Sequence, residues 1–241
     1  MTTPRRPVAQ PLHRQIHGLI LERIDSGEWP PGTYLPSETR LAEDYAVSVG
    51  TLRKALQDLA QEGVVQRRQG RGTVVATHDG DEVLFRFLNL RRADGSRVRP
   101  ESRVLDRRRR PADAGECADL DLGEGAEVIH VERLREIDGH AVIHETIALP
   151  AERFAALAET PATLPNTLYQ LYQRDFAATV HQAEERLTAI AAPADQAAWL
   201  GIAPGTPMLR ILRIAADYQG HPLERRLSCL ATDGLYYTAR L

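Results

Sequence analysis

Arg133 and Arg135, with Glu145 further along, are the side chains whose types and spacing most suggest chemistry. They stand in residues 128–147, a stretch that alternates as two strands around Asp138-Gly139. Successive strand side chains face opposite ways, so Ile129, Val131, Arg133 and Arg135 share one face while His130, Glu132 and Glu136 share the other. On the second arm Ala141, Ile143, Glu145 and Ile147 go together. A two-residue loop at Asp138-Gly139 would set odd positions against even ones and bring the apolar faces into conflict. A three-residue loop, Ile137 to Gly139 with Gly139 left-handed, aligns odd with odd and is therefore expected. Arg133, Arg135 and Glu145 then lie on the covered face, where an unpaired charge is costly. Two guanidiniums against one nearby carboxylate leave a positive excess, which the carboxylate or phosphate of a small ligand would satisfy. Ion pairing at an open sheet edge fits the same pattern, and alternation alone does not choose between the two.

A second set is basic. Arg67, Arg68 and Arg71 interleave with Gln69, Gly70 and Gly72 between Val64-Val65 and Val74-Val75, the pattern of a hairpin whose glycine-bearing tip approaches an anion closely. Upstream, Arg53 lies one turn into a segment that opens on Ser48. A guanidinium there can reach a guanine edge bidentately, and Ser48, Gly50 and Thr51 present little bulk to phosphate or base edges. Lys54 and Arg71 suit phosphate neutralisation, which holds register without reading sequence. Other constellations are thin. His13 and His17 sit one helical turn apart and His140 and His144 share a strand face, yet no carboxylate or cysteine completes a four-ligand set, so no metal and no cofactor is expected. Gly70 and Gly72 lack the following helix and lysine of a phosphate cradle, and no Ser/His/Asp or Cys/His spacing stands out. Cys117 and Cys229, far apart in sequence, suit reduced thiols better than a disulfide framework.

The elements that must hold these groups follow from periodicity. Ile16, Leu19, Ile20 and Ile24 predict a helix over 12–25, with Gly27 at its end. Ser37 caps a second helix to about Tyr45, and Ser48 caps a third over 51–62 with Leu52, Leu56 and Leu59 in one stripe. Two short helices about a tight turn, followed by a hairpin, make a winged helix-turn-helix. Beyond it, strands are expected at 83–90, 128–136, 141–149, 180–191, 208–215 and 222–231, and helices at 151–159, 167–174 and 193–200. Hairpin signals outnumber crossover helices, which argues for an α+β domain with an antiparallel sheet and its helices on one side. A chain of 241 residues, 43% hydrophobic and 26% charged, suits two folded domains and excludes wholesale disorder. The net charge is −3, but residues 1–76 carry ten basic and eight acidic groups, a slight positive excess in front of an acidic remainder. Nine arginines fall in residues 91–110, a density that reads first as a solvated loop or edge strand and second as a phosphate patch. No stretch approaches the roughly 20 apolar residues of a membrane span, and residues 1–10 hold no apolar run. A soluble, cytoplasmic protein with no membrane partner is expected.

Taken together, Pro31-Gly32, Leu35-Pro36-Ser37-Glu38, Leu41-Ala42, Val47-Ser48, Thr51-Leu52-Arg53, Ala55-Leu56, Glu62-Gly63 and Gln69-Gly70-Arg71-Gly72-Thr73 make residues 11–76 resemble the winged helix-turn-helix of the GntR family of bacterial transcription regulators. The resemblance implies a recognition helix in the major groove and a wing tip at the adjacent minor groove. The residues it places at DNA are Thr39, Arg40, Ser48, Gly50, Thr51, Arg53, Lys54, Arg68, Gln69, Gly70, Arg71 and Gly72. Many members carry arginine where Thr39 and Val49 stand, so an operator different from theirs is expected. Arg133-Leu134-Arg135, Asp138-Gly139, Glu145, Leu168-Tyr169, Gly205-Thr206-Pro207, Arg213 and Pro222-Leu223-Glu224 are similar to the effector-sensing UTRA domain of the HutC-type members, whose fold is like that of chorismate lyase. This implies an effector pocket of Arg133, Arg135, Glu145, Thr167 and Glu224, and Leu230 in place of an aromatic residue points away from sugar-type ligands. The expected layout is a DNA-binding domain at 1–76, a linker at 77–82 and an effector-binding and dimerisation domain at 83–241. The expected function is that of a homodimeric repressor, released from an inverted-repeat DNA operator by a small anionic metabolite. A chorismate-lyase-like enzyme with an appended DNA-binding module is the alternative.

Overall fold

The computed structural model describes residues 10–78, 89–159 and 164–238. The chain divides into two compact units, Met1–Thr77 and His78–Leu241. His78, expected in the linker, is already part of the second: its backbone N–H donates to Gln173 Oε1 at 2.8 Å and its ring meets Tyr169 edge-on. The rest of that linker after Thr77, and residues 83–88 of the first expected strand, lie outside the described residues.

In the first unit α1 (Leu12–Asp25) buries Ile16, Ile20 and Ile24 along one stripe. Ser37 Oγ accepts the Arg40 N–H at 3.2 Å at the start of α2 (Glu38–Asp44), and Ser48 Oγ accepts the Thr51 N–H at 3.1 Å at the start of α3 (Val49–Gln61). Each cap satisfies an N–H that a helix start leaves without an intrahelical partner. Leu52, Ala55, Leu56 and Leu59 bury the inner face of α3, which leaves Arg53, Lys54 and Gln57 outside. Strands β1 (Val65–Arg68) and β2 (Gly72–Val75) pair antiparallel with Arg68 opposite Gly72, so Gln69-Gly70-Arg71 forms the tip. Gly70 has φ 73°, a backbone state that glycine adopts without strain. The result is the winged helix-turn-helix.

The second unit is built on six antiparallel strands. In chain order, β3 (Leu90–Arg92) stands apart from β4 (Glu101–Pro111), α4 (Ala114–Asp119), β5 (Glu127–Ile137), β6 (His140–Pro150), α5 (Ala151–Glu159), α6 (Leu168–Phe176), β7 (Gln182–Ala191), α7 (Ala194–Leu200), β8 (Pro207–Ala216), β9 (Pro222–Ala231) and β10 (Leu235–Tyr237). The large sheet has the order β4-β5-β6-β9-β8-β7, and β3 pairs with β10 in a separate ribbon. On the front face, Ile129, Val131, Ile147 and Leu149 pack under Phe154 of α5 and Tyr169 and Tyr172 of α6. The back face is covered too: Ala197 and Leu200 of α7 meet Leu134, Met208 and Cys229, and Leu120 after α4 meets Val128 and Ala148. The α+β class holds, but helices on one side only is corrected. The even positions Val128 and Leu134 carry a second apolar stripe, and each such side chain gains roughly 1.5–3 kcal/mol by burial.

The hairpin of β5 and β6 turns on two residues, not three. Ile137 pairs with His140, and Asp138 and Gly139 have φ 52° and 79°. Two left-handed residues give a turn whose twist matches that of the strands. Parity is restored one step later, because Glu136 pairs with Ala141 and Arg135 with Ile143, leaving Val142 as a bulge. Odd therefore meets odd, with Arg133 opposite Glu145. The arginine-rich run divides, Arg91 and Arg92 falling in β3 and Arg103 to Arg110 in the edge strand β4. Arg103 meets Glu136 at 2.7 Å, Arg109 meets Glu127 at 2.8 Å, Arg110 meets Glu116 at 2.7 Å and Arg108 meets Asp106. A charged edge resists pairing with another sheet.

Candidate functional site

Two cross-strand rows lie side by side on the front face. One is Arg133, Glu145, Ser228 and Ile211; the other is Arg135, Ile143, Leu230 and Leu209. All but Leu209 line a single cavity, together with Leu90, Asn166, Thr167, Leu168, Tyr169, Arg213, Arg226 and Tyr237. Thr167 immediately precedes α6, and its hydroxyl makes no capping bond. Arg133 Nε donates to Glu145 Oε2 at 2.6 Å, and Ser228 Oγ donates to Glu145 Oε1 at 3.2 Å. Burial pushes the Glu145 carboxyl up, but the guanidiniums of Arg133, Arg226 and Arg135 outweigh it and hold the group well below the usual carboxylate range.

Arg135 is different. It is 2% exposed, and among the described residues its Nη1 and Nη2 donate to the backbone oxygens of Asn166 at 2.9 Å and Pro100 at 3.2 Å. Its Nε, like Oδ1 of Asn166, is buried without a hydrogen-bond partner among the described residues. Burial, and then the neighbouring Arg133, push this guanidinium down to about 9. It remains protonated at neutral pH, at a cost that an anion would relieve.

Glu224, expected in the same pocket, sits behind the wall and is not among the lining residues. Its Oε1 accepts from Tyr169 Oη at 3.0 Å and Arg226 Nε at 2.9 Å, and its Oε2 accepts from Tyr172 Oη at 2.8 Å and Arg226 Nη2 at 2.7 Å. Four donors saturate the carboxylate, which thereby fixes Arg226, and Arg226 does reach the cavity. Sequence reasoning gave no role to Arg226, Arg213, Asn166 or Tyr237. Arg226 was within reach, since it follows Glu224 by two and shares its strand face. Arg213 pairs across to Arg226, its Nε donates to Glu185 Oε1 at 2.7 Å, and Tyr237 donates to Oε2 of the same glutamate. Asn166 lies in a loop without periodicity and carried no signal.

In the first unit the residues expected at DNA lie on exposed surface, Thr51 being half-buried. Arg53 Nε donates to Glu38 Oε2 at 3.0 Å, and Arg67, not among the expected contacts, donates to Glu38 Oε1 at 3.2 Å. Lys54 holds Asp58 at 2.7 Å, Arg40 holds Asp44 at 3.1 Å and Arg68 holds Gln66 at 3.1 Å. Arg71 has no ion-pair partner among the described residues. A methyl group added at Gly50 would meet only Ser48 Oγ, at 3.8 Å, so the first turn of α3 is open to close approach. Carboxylates do stand by the α1 histidines, with His17 2.7 Å from Glu62 and His13 3.8 Å from Asp58. On the back of the large sheet Asp106, His130 and Glu132 offer ligand atoms within 4.8 Å of one another. Guanidiniums already occupy that cluster, Arg108 on Asp106 and Arg110 on His130 Nδ1 at 3.2 Å.

Comparison with known proteins agrees with this division. The model of the UTRA domain matches residues 95–235, and that of bacterial regulatory proteins of the gntR family matches residues 12–75. The chain is 28% identical over 223 residues, 92% of its length and 91% of the other, to the probable fructoselysine utilization operon transcriptional repressor of Escherichia coli K12. It is 28% identical over 212 residues, 84% and 81% of the two chains, to the histidine utilization repressor of Pseudomonas putida. The solved structure of PhnF from Mycobacterium smegmatis resembles it with a TM-score of 0.56 at 26% identity, over 96% of this chain and 99% of that one.

Proposed function

Since the chain belongs to the GntR family of bacterial regulatory proteins, in the HutC-type branch that carries a UTRA domain, we propose that α3 and the wing grip operator DNA until a small anion enters the Arg133–Arg135 cavity. Family and relatives are transcriptional regulators, so the protein is a ligand-responsive repressor and not an enzyme. One observation carries the anion. Arg133 has Glu145, Arg226 has Glu224 and Arg213 has Glu185, whereas among the described residues Arg135 has only backbone carbonyls. A carboxylate or phosphate is the complement of such a guanidinium.

On the DNA side Arg53 is the base-reading residue, and Lys54, Arg68 and Arg71 neutralise phosphates. Thr39, Arg40, Ser48, Gly50, Thr51, Gln69, Gly70 and Gly72 form the close-approach surface around them. A homodimer would set two copies of α3 in successive major grooves, roughly 34 Å apart, on an inverted repeat. The effector releases DNA only by the difference in its affinity for the two arrangements. Among the described residues no helix is long and apolar enough to cross a membrane, and we place this repressor in the cytoplasm. The test is retardation of genomic DNA fragments by the full chain, with and without anionic metabolites. Arg135→Gln is expected to bind DNA as before and to ignore the anion that releases the wild type. A variant still released normally would remove Arg135 from the effector site.

A further inference from the structure

The charges at the cavity nearly cancel. Among the described residues, three guanidinium–carboxylate pairs, Arg133 with Glu145, Arg226 with Glu224 and Arg213 with Glu185, leave the guanidinium of Arg135 as one positive charge in excess. One negative charge balances it. A phosphate monoester, which carries close to two at neutral pH, overshoots.

Two buried polar atoms at the same place lack partners among the described residues: the donor Nε of Arg135 and the acceptor Oδ1 of Asn166. They belong to residues in contact, since the backbone oxygen of Asn166 takes Arg135 Nη1 at 2.9 Å. A carboxylate answers the first atom and a hydroxyl or amide N–H beside that carboxylate answers the second. An acid without such a donor leaves Oδ1 buried and unpaired.

The remainder of Arg135's row is hydrocarbon. Ile143 on β6 and Leu230 on β9 follow it across the sheet, with Leu90 and Tyr237 of the β3–β10 ribbon on the same cavity. From β5 to β9 is two strand spacings, about 10 Å, room for one ring or a short branched chain. Hydroxyl groups laid against Ile143 and Leu230 would lose water and gain no partner from those two side chains.

We propose that the effector is a monocarboxylate with a compact hydrocarbon body and a hydrogen-bond donor one or two bonds from its acid group, as in a 2-hydroxy acid or an N-acylated amino acid. The inference rests on the reading of this cavity as the effector site.

Thermal unfolding of the full chain against a probe set tests it. The donor-bearing probes are 2-hydroxy-4-methylpentanoate and N-acetyl-leucine. The controls are 4-methylpentanoate, which lacks the donor, gluconate, which is a polyol, and glycerol 3-phosphate, which is a phosphate monoester. At least one donor-bearing probe should raise the melting temperature, with every control about tenfold weaker in half-saturating concentration. Arg135→Gln should abolish the response. Asn166→Ala, at a half-buried loop position that spares the sheet, should bring the donor-bearing acid level with 4-methylpentanoate. Arg135-dependent binding of gluconate or glycerol 3-phosphate as tight as that of the best donor-bearing acid would overturn the ligand class and leave the anion site standing. A gap that survives Asn166→Ala would overturn the donor. If no probe binds in an Arg135-dependent way, the reading of the cavity itself fails.

Discussion

Glu145 and Arg135 sit on adjacent strands of one face, yet Glu145 is paired with a guanidinium while Arg135, among the described residues, meets backbone carbonyls and no carboxylate. For Glu145 the folded-state carboxyl is held below its unfolded value of roughly 4.3. A depressed acid contributes stability that is complete above the unfolded value and lost as pH falls through and below it. Wild type is therefore expected to lose stability between about pH 5 and pH 3 more steeply than Glu145→Gln, as read from urea midpoints. At neutral pH the same substitution leaves Arg133 buried without its partner, an expected loss of about 3–5 kcal/mol in equilibrium unfolding. On the DNA side, Glu38 holds Arg53 and Arg67 in the free protein. Arg53→Ala should cost about 1–3 kcal/mol of operator affinity in a binding titration, with effector affinity unchanged. An untouched operator affinity would end the assignment of Arg53.

Elements explain how these side chains arrive. Removing the Ser48 hydroxyl takes the cap from α3, so Ser48→Ala is expected to cost about 0.5–2 kcal/mol in equilibrium unfolding. Period-two alternation exposed the front face of β5 and β6 because a sheet packed on one core must keep apolar residues in step. The loop length was read wrongly for a related reason: parity can be restored by a turn or by a bulge, and the sequence pattern is the same for both. Strand β4 was legible only as a possibility, since an edge strand with solvated side chains needs no apolar alternation. Short α4, held by the capping box of Asp113 and Glu116, was not anticipated at all. A Gly139→Ala chain should fold with the same register but lose about 1 kcal/mol, because an added methyl meets nothing while φ 79° strains any other residue. A change in the Arg133–Glu145 pairing by exchange-protected amides would count against the turn.

For the molecule as a whole the repressor reading predicts steep salt dependence, each neutralised phosphate adding roughly 0.9 to the logarithmic slope. Arg71→Ala should lower that slope by about one with little effect on sequence preference, and an unchanged slope would take the wing tip off the phosphates. Some of this was written in the chain from the start. Helical stripes, serine caps, strand parity and a glycine-arginine tip are properties of residues close together in sequence, so the winged helix-turn-helix and the shared face of Arg133, Arg135 and Glu145 could be read without coordinates. Which cavity arginine keeps no carboxylate partner among the described residues could not. That depends on β9 lying against β6, which sets the Glu224–Arg226 pair of β9 beside Glu145, and on β7 lying against β8, which carries Glu185 to Arg213. Periodicity reports which way a side chain faces, and only long-range strand pairing decides what stands in front of it.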